Sequence, residues 1–180
     1  MKLLLNHIAS PLGEILLVTD EQQRLRALDF ADHRTHLHRV LKEHCGEYEL
    51  VDAASAGAIE THLDRFFAGD LNALDDVQPS TNGNELQQQV WAALRTIPAG
   101  QVVTYGELAR KLGYTDPRMA KDIGAAVGAN PIAIVVPCHR VIGADGELKG
   151  YAWGLHRKRW LLEHEGAAIG THAAQAQLDV

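Results

Sequence analysis

Cys138 and His139 stand side by side in Pro137-Cys138-His139-Arg140, at the end of the apolar run 132–136. The thiolate is the useful nucleophile, and a neighbouring His or Arg favours it by lowering a thiol pKa from ~8.5. A lone buried Cys is more often a small inert hydrophobe, so the chemistry rests on that neighbourhood. On an extended chain adjacent side chains point to opposite faces. His139 therefore either sits in a turn or reaches Cys138 through a water. The second thiol, Cys45, follows His44 in the acidic half and reads as structural or incidental. Two Cys in 180 residues exclude a disulfide scaffold.

The elements around the cysteine carry sharp local signals. The β-branched run 132–136 predicts a buried strand. Thr104-Tyr105-Gly106-Glu107 fits a capping box, in which the Thr hydroxyl serves the N3 amide and Glu107 reaches back. That helix ends at Gly113, a natural C′ residue. Asp116 can cap a second helix with Pro117 at its first position, and Met119, Ile123 and Val127 share one face of it. The pair is either a helix-turn-helix or an αα-hairpin of the core. Upstream, Asn84 caps a helix that buries Val90, Leu94 and Ile97 and ends before Pro98. The runs 2–9, 14–19 and 25–30 predict an antiparallel meander, with Ser10-Pro11-Leu12-Gly13 as its first turn. A helix over 33–44, a strand near 48–51 and a helix over 54–68 follow. Residues 79–83 read as a connector. The organisation is an N-terminal unit over 1–80, a C-terminal unit over 81–170 and a tail over 171–180.

Composition sets the outer bounds. Hydrophobic residues make up 46% and charged residues 22% of the chain, ordinary for a soluble globular protein. Asn6, His7 and Pro11 break the apolar start, which excludes a signal-peptide h-region or a membrane span there; the reading is a cytoplasmic protein. The net charge of −6 hides an asymmetry: residues 1–80 carry 7 basic and 14 acidic side chains, residues 81–170 carry 10 and 8. A mildly basic half suits a polyanion but also a plain solvated face.

The residues at 137–143, Pro-Cys-His-Arg-Val-Ile-Gly, resemble the active-site motif of the O6-alkylguanine-DNA alkyltransferases. Val-Val-Thr-Tyr-Gly-Glu-Leu-Ala at 102–109, Gly124-Ala125-Ala126 with Asn130-Pro131, Gly150-Tyr151, and Trp160-Leu161-Leu162 through Glu165-Gly166 follow in the family's order. Ser-Pro-Leu-Gly at 10–13 is also typical, and the resemblance covers roughly residues 1–168. It implies an α/β N-terminal unit with a small antiparallel sheet, ribonuclease H-like. It also implies a mainly helical C-terminal unit with a winged-helix-like helix-turn-helix. The implied activity is irreversible transfer of an alkyl group from O6-alkylguanine in double-stranded DNA to the protein's own cysteine, with O4-alkylthymine as a second candidate lesion. The protein would act as a monomer, away from membranes, without metal or organic cofactor.

The same resemblance assigns roles. Cys138 is the alkyl acceptor, His139 takes its proton through a water, and Glu165 fixes the imidazole tautomer. Tyr105 lies near the flipped base and the adjoining phosphate. Asn130 ties the recognition helix to the cysteine segment. The carbonyls of Cys138 and Val141 accept from the guanine amino group, and the Ala152 amide donates to O6. Tyr151 and Lys158 belong to the site. The base must leave the stack because chemistry cannot reach it inside the duplex. Lys121 stands where the family usually has an arginine that fills the vacated stack, and Arg118 either shares that task or contacts a phosphate. Trp153 and Ala133 occupy positions that line the alkyl pocket. The cysteines of a structural zinc site are absent, and His33, His36, His38 and His44 read as surface. Two other readings remain: a lesion sensor or redox regulator that binds DNA without transfer, and a thiol hydrolase.

Overall fold

The computed structural model of the chain describes residues 1–168; the tail expected over 171–180 lies outside them. Two compact units form among the described residues: Met1–Gly83 together with Pro131–Val135, and Asn84–Asn130 together with the described residues from Val136 on.

The first unit is built on four strands. β1 (Lys2–Ile8), β2 (Ile15–Asp20) and β3 (Leu25–Phe30) form the antiparallel meander. β4 (Glu49–Asp52) adds to the free edge of β1 in parallel, giving the order β3-β2-β1-β4. The expected antiparallel meander is thus extended to a mixed sheet by one parallel edge strand, whose pairing the sequence left open: the helix between β3 and β4 carries the chain far enough for a parallel return. At the first turn Gly13 holds a φ of +107° that L side chains disfavour, and Ser10 Oγ accepts from the Leu12 amide. At the second, the Asp20 carboxylate accepts from the amides of Gln22 and Arg24.

Helix α1 (Arg34–Cys45) presents Leu37, Val40 and Leu41 to β3, the three- and four-residue spacing of one helical face. Leu37 and Leu41 join Leu3, Leu5, Leu16, Val18 and Ala27 in one core cluster, each buried Leu or Val contributing roughly 1.5–3 kcal/mol. Helix α2 (Ala58–Phe67) starts later than its pattern suggests, after Gly57 at a φ of +64°. The run 132–136, expected as a strand, is a buried turn. Only Ile132 bridges to Leu28, the Leu28 amide donates to the Pro131 carbonyl, and the Ala133 amide donates to the Leu28 carbonyl. Ile134 takes a φ of +70°, uncommon for a β-branched residue; a burial pattern cannot distinguish such a turn from a strand.

The second unit opens with α3 (Glu85–Leu94), which Asn84 and Gln87 close in a full capping box. A two-residue strand β5 (Val103–Thr104) leads into α4 (Tyr105–Lys111), then α5 (Met119–Gly128), β6 (Val141–Ile142, parallel to β5) and α6 (Leu155–His164). The Thr104 hydroxyl accepts from the Glu107 amide as expected, but the Glu107 carboxylate returns to the Thr104 hydroxyl and not to its amide. Asp116 accepts from the Arg118 amide, yet the first turn is tight, with i to i+3 bonds at Met119 and Ala120; regular α-helix begins at Met119. α5 is wedged against α3 and α4, and Trp91 Nε1 donates to the Ala126 carbonyl at 2.8 Å. The α4-turn-α5 pair is the helix-turn-helix. Among the described residues no helix is long and apolar enough to cross a membrane.

Candidate active site

Pro137 turns the chain into a single 3-10 turn, Cys138–Arg140. The Cys138 amide donates to the Val136 carbonyl at 2.8 Å, and Asn130 Nδ2 donates to the same carbonyl at 2.8 Å. Asn130 is fully buried, so the end of α5 and the cysteine turn share one fixed acceptor. The tight turn, not an extended strand end, decides how the motif residues diverge.

Cys138 opens onto a pocket of about 350 Å³. Gly124, Val127 and Gly128 of α5 form one wall, Tyr105 of α4 another, and the segment 150–153 the third. Trp153 is buried in that segment and meets Tyr151 edge to face, ring centroids 5.0 Å apart. Ala133 does not line the pocket; it lies in the buried turn of the first unit. Burial pushes the Cys138 thiol up to about 11, against a hydrogen bond from Asn130 and the charge of Lys158. The neighbouring His and Arg, read from the sequence as favouring thiolate, do not achieve it. His139 is neutral, and the Arg140 guanidinium is committed elsewhere. Burial also raises the Tyr105 hydroxyl, as would a charge on Cys138.

His139 is wholly buried, with Nε2 2.9 Å from Glu165 Oε2. Burial lowers its pKa more than the Glu165 carboxylate raises it. Burial alone would disfavour the Glu165 anion, but bonds from His139 and Arg140 outweigh it and hold the carboxyl near 2. An ionised carboxylate only accepts, so Nε2 carries the proton and Nδ1 is the free base. Nδ1 is buried with no hydrogen-bond partner among the described residues.

Arg140 is the member of this cluster that sequence reasoning missed. Its Nε and Nη2 grip the two oxygens of Glu165 at 2.9 and 2.7 Å, and Nη1 donates to the Ile97 carbonyl. The available signal was a charged residue inside an otherwise buried motif, which must find a counter-charge. Gly100 was missed as well: at a φ of +90°, its absent Cβ would lie 3.1 Å from the Glu165 carbonyl oxygen.

The remaining expected site residues separate into two groups. Lys158, expected at the base-binding site, is fully buried; Nζ donates to the carbonyls of Val141 at 2.6 Å and Lys149 at 2.9 Å. It is an internal clamp between β6 and the start of the pocket wall, with its pKa brought down by burial to about 8. The Val141 carbonyl is thereby already engaged once, and the Cys138 carbonyl accepts from the Val141 amide; each keeps a second lone pair for a ligand. Ala152 is exposed and Tyr151 half-buried on the pocket wall. On α5, Lys121 is exposed and makes no hydrogen bond or ion pair among the described residues. Arg118, by contrast, is tied to Asp116 at 2.9–3.1 Å. Among the described residues no group of three His, Cys, Asp or Glu side chains could hold a metal. His36 pairs with Asp29, and His38 with Tyr48.

Two family models match the chain: "6-O-methylguanine DNA methyltransferase, ribonuclease-like domain" over residues 3–78 and "6-O-methylguanine DNA methyltransferase, DNA binding domain" over residues 85–167. The methylated-DNA–protein-cysteine methyltransferase of Salmonella typhimurium is 49% identical over 168 residues, 92% of this chain and 97% of that protein. The protein of the same name from Methanosarcina acetivorans is 42% identical over 88% of this chain and 95% of its own length. The crystal structure of Mycobacterium tuberculosis O6-methylguanine methyltransferase superposes with a TM-score of 0.74 at 37% identity, covering 91% of this chain and 93% of that one. A structure of the M. tuberculosis protein in complex with DNA gives 0.74 at 36% identity, covering 94% and 97%.

Proposed function

This chain belongs to the 6-O-methylguanine DNA methyltransferase family, and we propose that it repairs O6-alkylguanine in double-stranded DNA by moving the alkyl group onto Cys138. The observation that carries the reading is the Cys138 thiol on the pocket wall, followed in the same turn by His139, whose buried Nδ1 has no hydrogen-bond partner among the described residues. The target nucleotide rotates out of the stack into the pocket, between Tyr105 and the 150–153 wall. The thiol proton passes through a water to His139 Nδ1, whose tautomer Glu165 fixes. Sulfur attacks the alkyl carbon in line: the S–C bond forms, the C–O6 bond breaks, and the electron pair leaves on guanine O6. The departing purine takes up one proton, with Tyr105 placed to supply it and be reprotonated from His139. The Ala152 amide and the free lone pairs of the Cys138 and Val141 carbonyls hold the guanine edge, with Tyr151 and Trp153 closing the pocket. The product is a thioether, which water does not hydrolyse, so each molecule acts once. Incubation with duplex DNA carrying radiolabelled O6-methylguanine is the test. Label on the protein supports transfer. Binding without label means a lesion sensor, and amide turnover means a hydrolase.

We assign residues 1–80 as the N-terminal domain and 81–170 as the DNA-binding and acceptor domain, in a cytoplasmic monomer. α5, with Gly124 and Gly128 on the pocket side, lies close to the minor groove. Binding is then independent of sequence and weakens with salt, log K falling by about 0.9 per phosphate neutralised for each unit of log salt. A flat salt profile in fluorescence anisotropy would contradict this. Lys121, the unpartnered cation of α5, fills the gap in the stack. Lys121→Ala should slow duplex repair about tenfold or more, since flipping costs a few kcal/mol, while leaving demethylation of free O6-methylguanine unchanged. Lys121→Arg should match or exceed the parent, because guanidinium stacks better than ammonium. Equal losses on both substrates would remove Lys121 from that role.

A further inference from the structure

Arg140 has no role in the chemistry described so far, yet it makes the most complete set of contacts in the active-site cluster. Two of its nitrogens occupy both oxygens of Glu165, and the third is pinned to the Ile97 carbonyl. Arg140, Glu165 and His139 are all buried. We propose that Arg140 is a positioning residue that supplies the permanent counter-charge of Glu165, so that the His139 imidazole rests neutral and Nδ1 is vacant when the thiol must lose its proton.

Charges in this buried cluster must balance. A buried carboxylate cannot stay uncompensated. With Arg140 in place, guanidinium and carboxylate cancel, and the imidazole need carry nothing. Without it, the carboxylate recruits a proton from solvent, and the stronger base beside it, the imidazole, holds that proton. The base is then occupied before the reaction starts. Glu165 by itself would favour imidazolium; the forked guanidinium restrains it to a tautomer-fixing acceptor.

The other charged groups do not replace this function. Glu165, Arg140 and Lys158 are the charges that act on His139. Lys158, from α6, is caged by the carbonyls of Val141 and Lys149 and faces the Cys138 thiol. It has no bond to Glu165. Cys138, from the same turn as His139, is protonated at rest. α3, which also packs on the turn, buries only Val90, Trp91, Ala93 and Leu94, and its acidic Glu85 is exposed. Among the described residues Arg140 is thus the one permanent cation that touches the carboxylate. Its planar fork also sets the carboxylate plane, which a lysine cannot do.

The inference rests on the alkyl-acceptor reading, and the test separates the two. Single-turnover methyl transfer is followed from about pH 5.5 to 9 for the parent, Arg140→Gln and Arg140→Lys, a range that brackets an imidazole titration. In parallel, ¹⁵N NMR titrates His139 in the parent and in both variants, with the imidazole of Arg140→Gln expected to take its proton at higher pH than the parent's. The parent imidazole is expected to be neutral at pH 7 with its proton on Nε2. Arg140→Gln is expected to move the acid limb of the rate profile to higher pH, so that its loss against the parent is about tenfold greater at pH 6 than at pH 8.5. Arg140→Lys keeps the charge and is expected to keep the parent's acid limb, with a uniformly lower rate. An unshifted limb in folded Arg140→Gln would overturn the role, as would equal shifts in both variants or an imidazolium His139 in the parent at pH 7. If Arg140→Gln does not fold, the parent spectrum and the Arg140→Lys profile still decide. If the parent takes up no methyl group, the alkyl-acceptor reading fails, and the NMR titration alone tests Arg140.

Discussion

Excess O6-methylguanine DNA should load one methyl group per protein molecule, on Cys138, and then stop. Peptide mapping should find the peptide of Cys138 heavier by one methylene and that of Cys45 unchanged. Cys45 is half-buried in the first unit, where Arg26 Nη2 approaches its sulfur at 3.8 Å; it does not line the pocket onto which Cys138 opens. Cys138→Ser should reduce uptake to background, because a hydroxyl is a far weaker nucleophile than a thiol and the neutral imidazole cannot activate it sufficiently. The variant should still bind methylated duplex, since α5 and Lys121 are untouched. A thiol held near 11 by burial has a further consequence: in the free protein Cys138 should react slowly with small alkylating reagents at neutral pH, because little thiolate is present. The bound base must supply the missing activation, by filling the pocket and bringing an alkyl carbon within reach as the proton leaves. Repeated turnover, or label on Cys45, would contradict this account.

How much of this was legible beforehand differs from residue to residue. Periodicity and turn chemistry located β1–β4 and α1–α5, since Ser10, Asn84, Thr104 and Gly113 act through their nearest neighbours; the two-residue strands β5 and β6 and helix α6 carry no such signal and were not placed. The roles proposed for Cys138, His139 and Glu165 came only from ordered motifs that resemble a family. Glu165 lies 26 residues from His139, and no local pattern links them. Three features escaped for one reason: they depend on burial and long-range closure. The run 132–136 reads as a strand because β-branched residues mark buried strands, whereas Ile134 turns the chain over with positive φ. Lys158 reads as a ligand-facing cation, whereas the fold turns it inward onto two carbonyls. Arg140 reads as a cation beside the thiol, whereas the closing of α6 on the cysteine turn gives it Glu165 instead. In each case the residue type was informative and its partner was not.

The largest effect on stability should come from Glu165, and it should depend on pH. Its carboxyl is held near 2 against an ordinary 4.5, so its ionised form contributes roughly 3 kcal/mol to folding at neutral pH. A depressed carboxyl stabilises fully above its unfolded pKa, and that stability is lost as pH falls from about 4.5 through about 2. His139 works in the same direction. Its pKa is lowered by burial, so below about 6.5 the unfolded chain binds a proton that the folded one does not, and stability declines on the acid side. Urea unfolding of the parent should therefore show stability falling from pH 7 to pH 3. Glu165→Gln should cost about 3–5 kcal/mol at pH 7, because it leaves the Arg140 guanidinium buried without its counter-charge. It should also remove the carboxyl's own pH dependence, so that the curves of parent and variant draw together as pH falls below about 4.5 toward about 2. Pairing Glu165→Gln with Arg140→Met should recover part of that loss, since no charge is then left stranded. Parallel curves at all pH values would mean that the loss is one of packing and that the ion pair is not what holds the cysteine turn against α6.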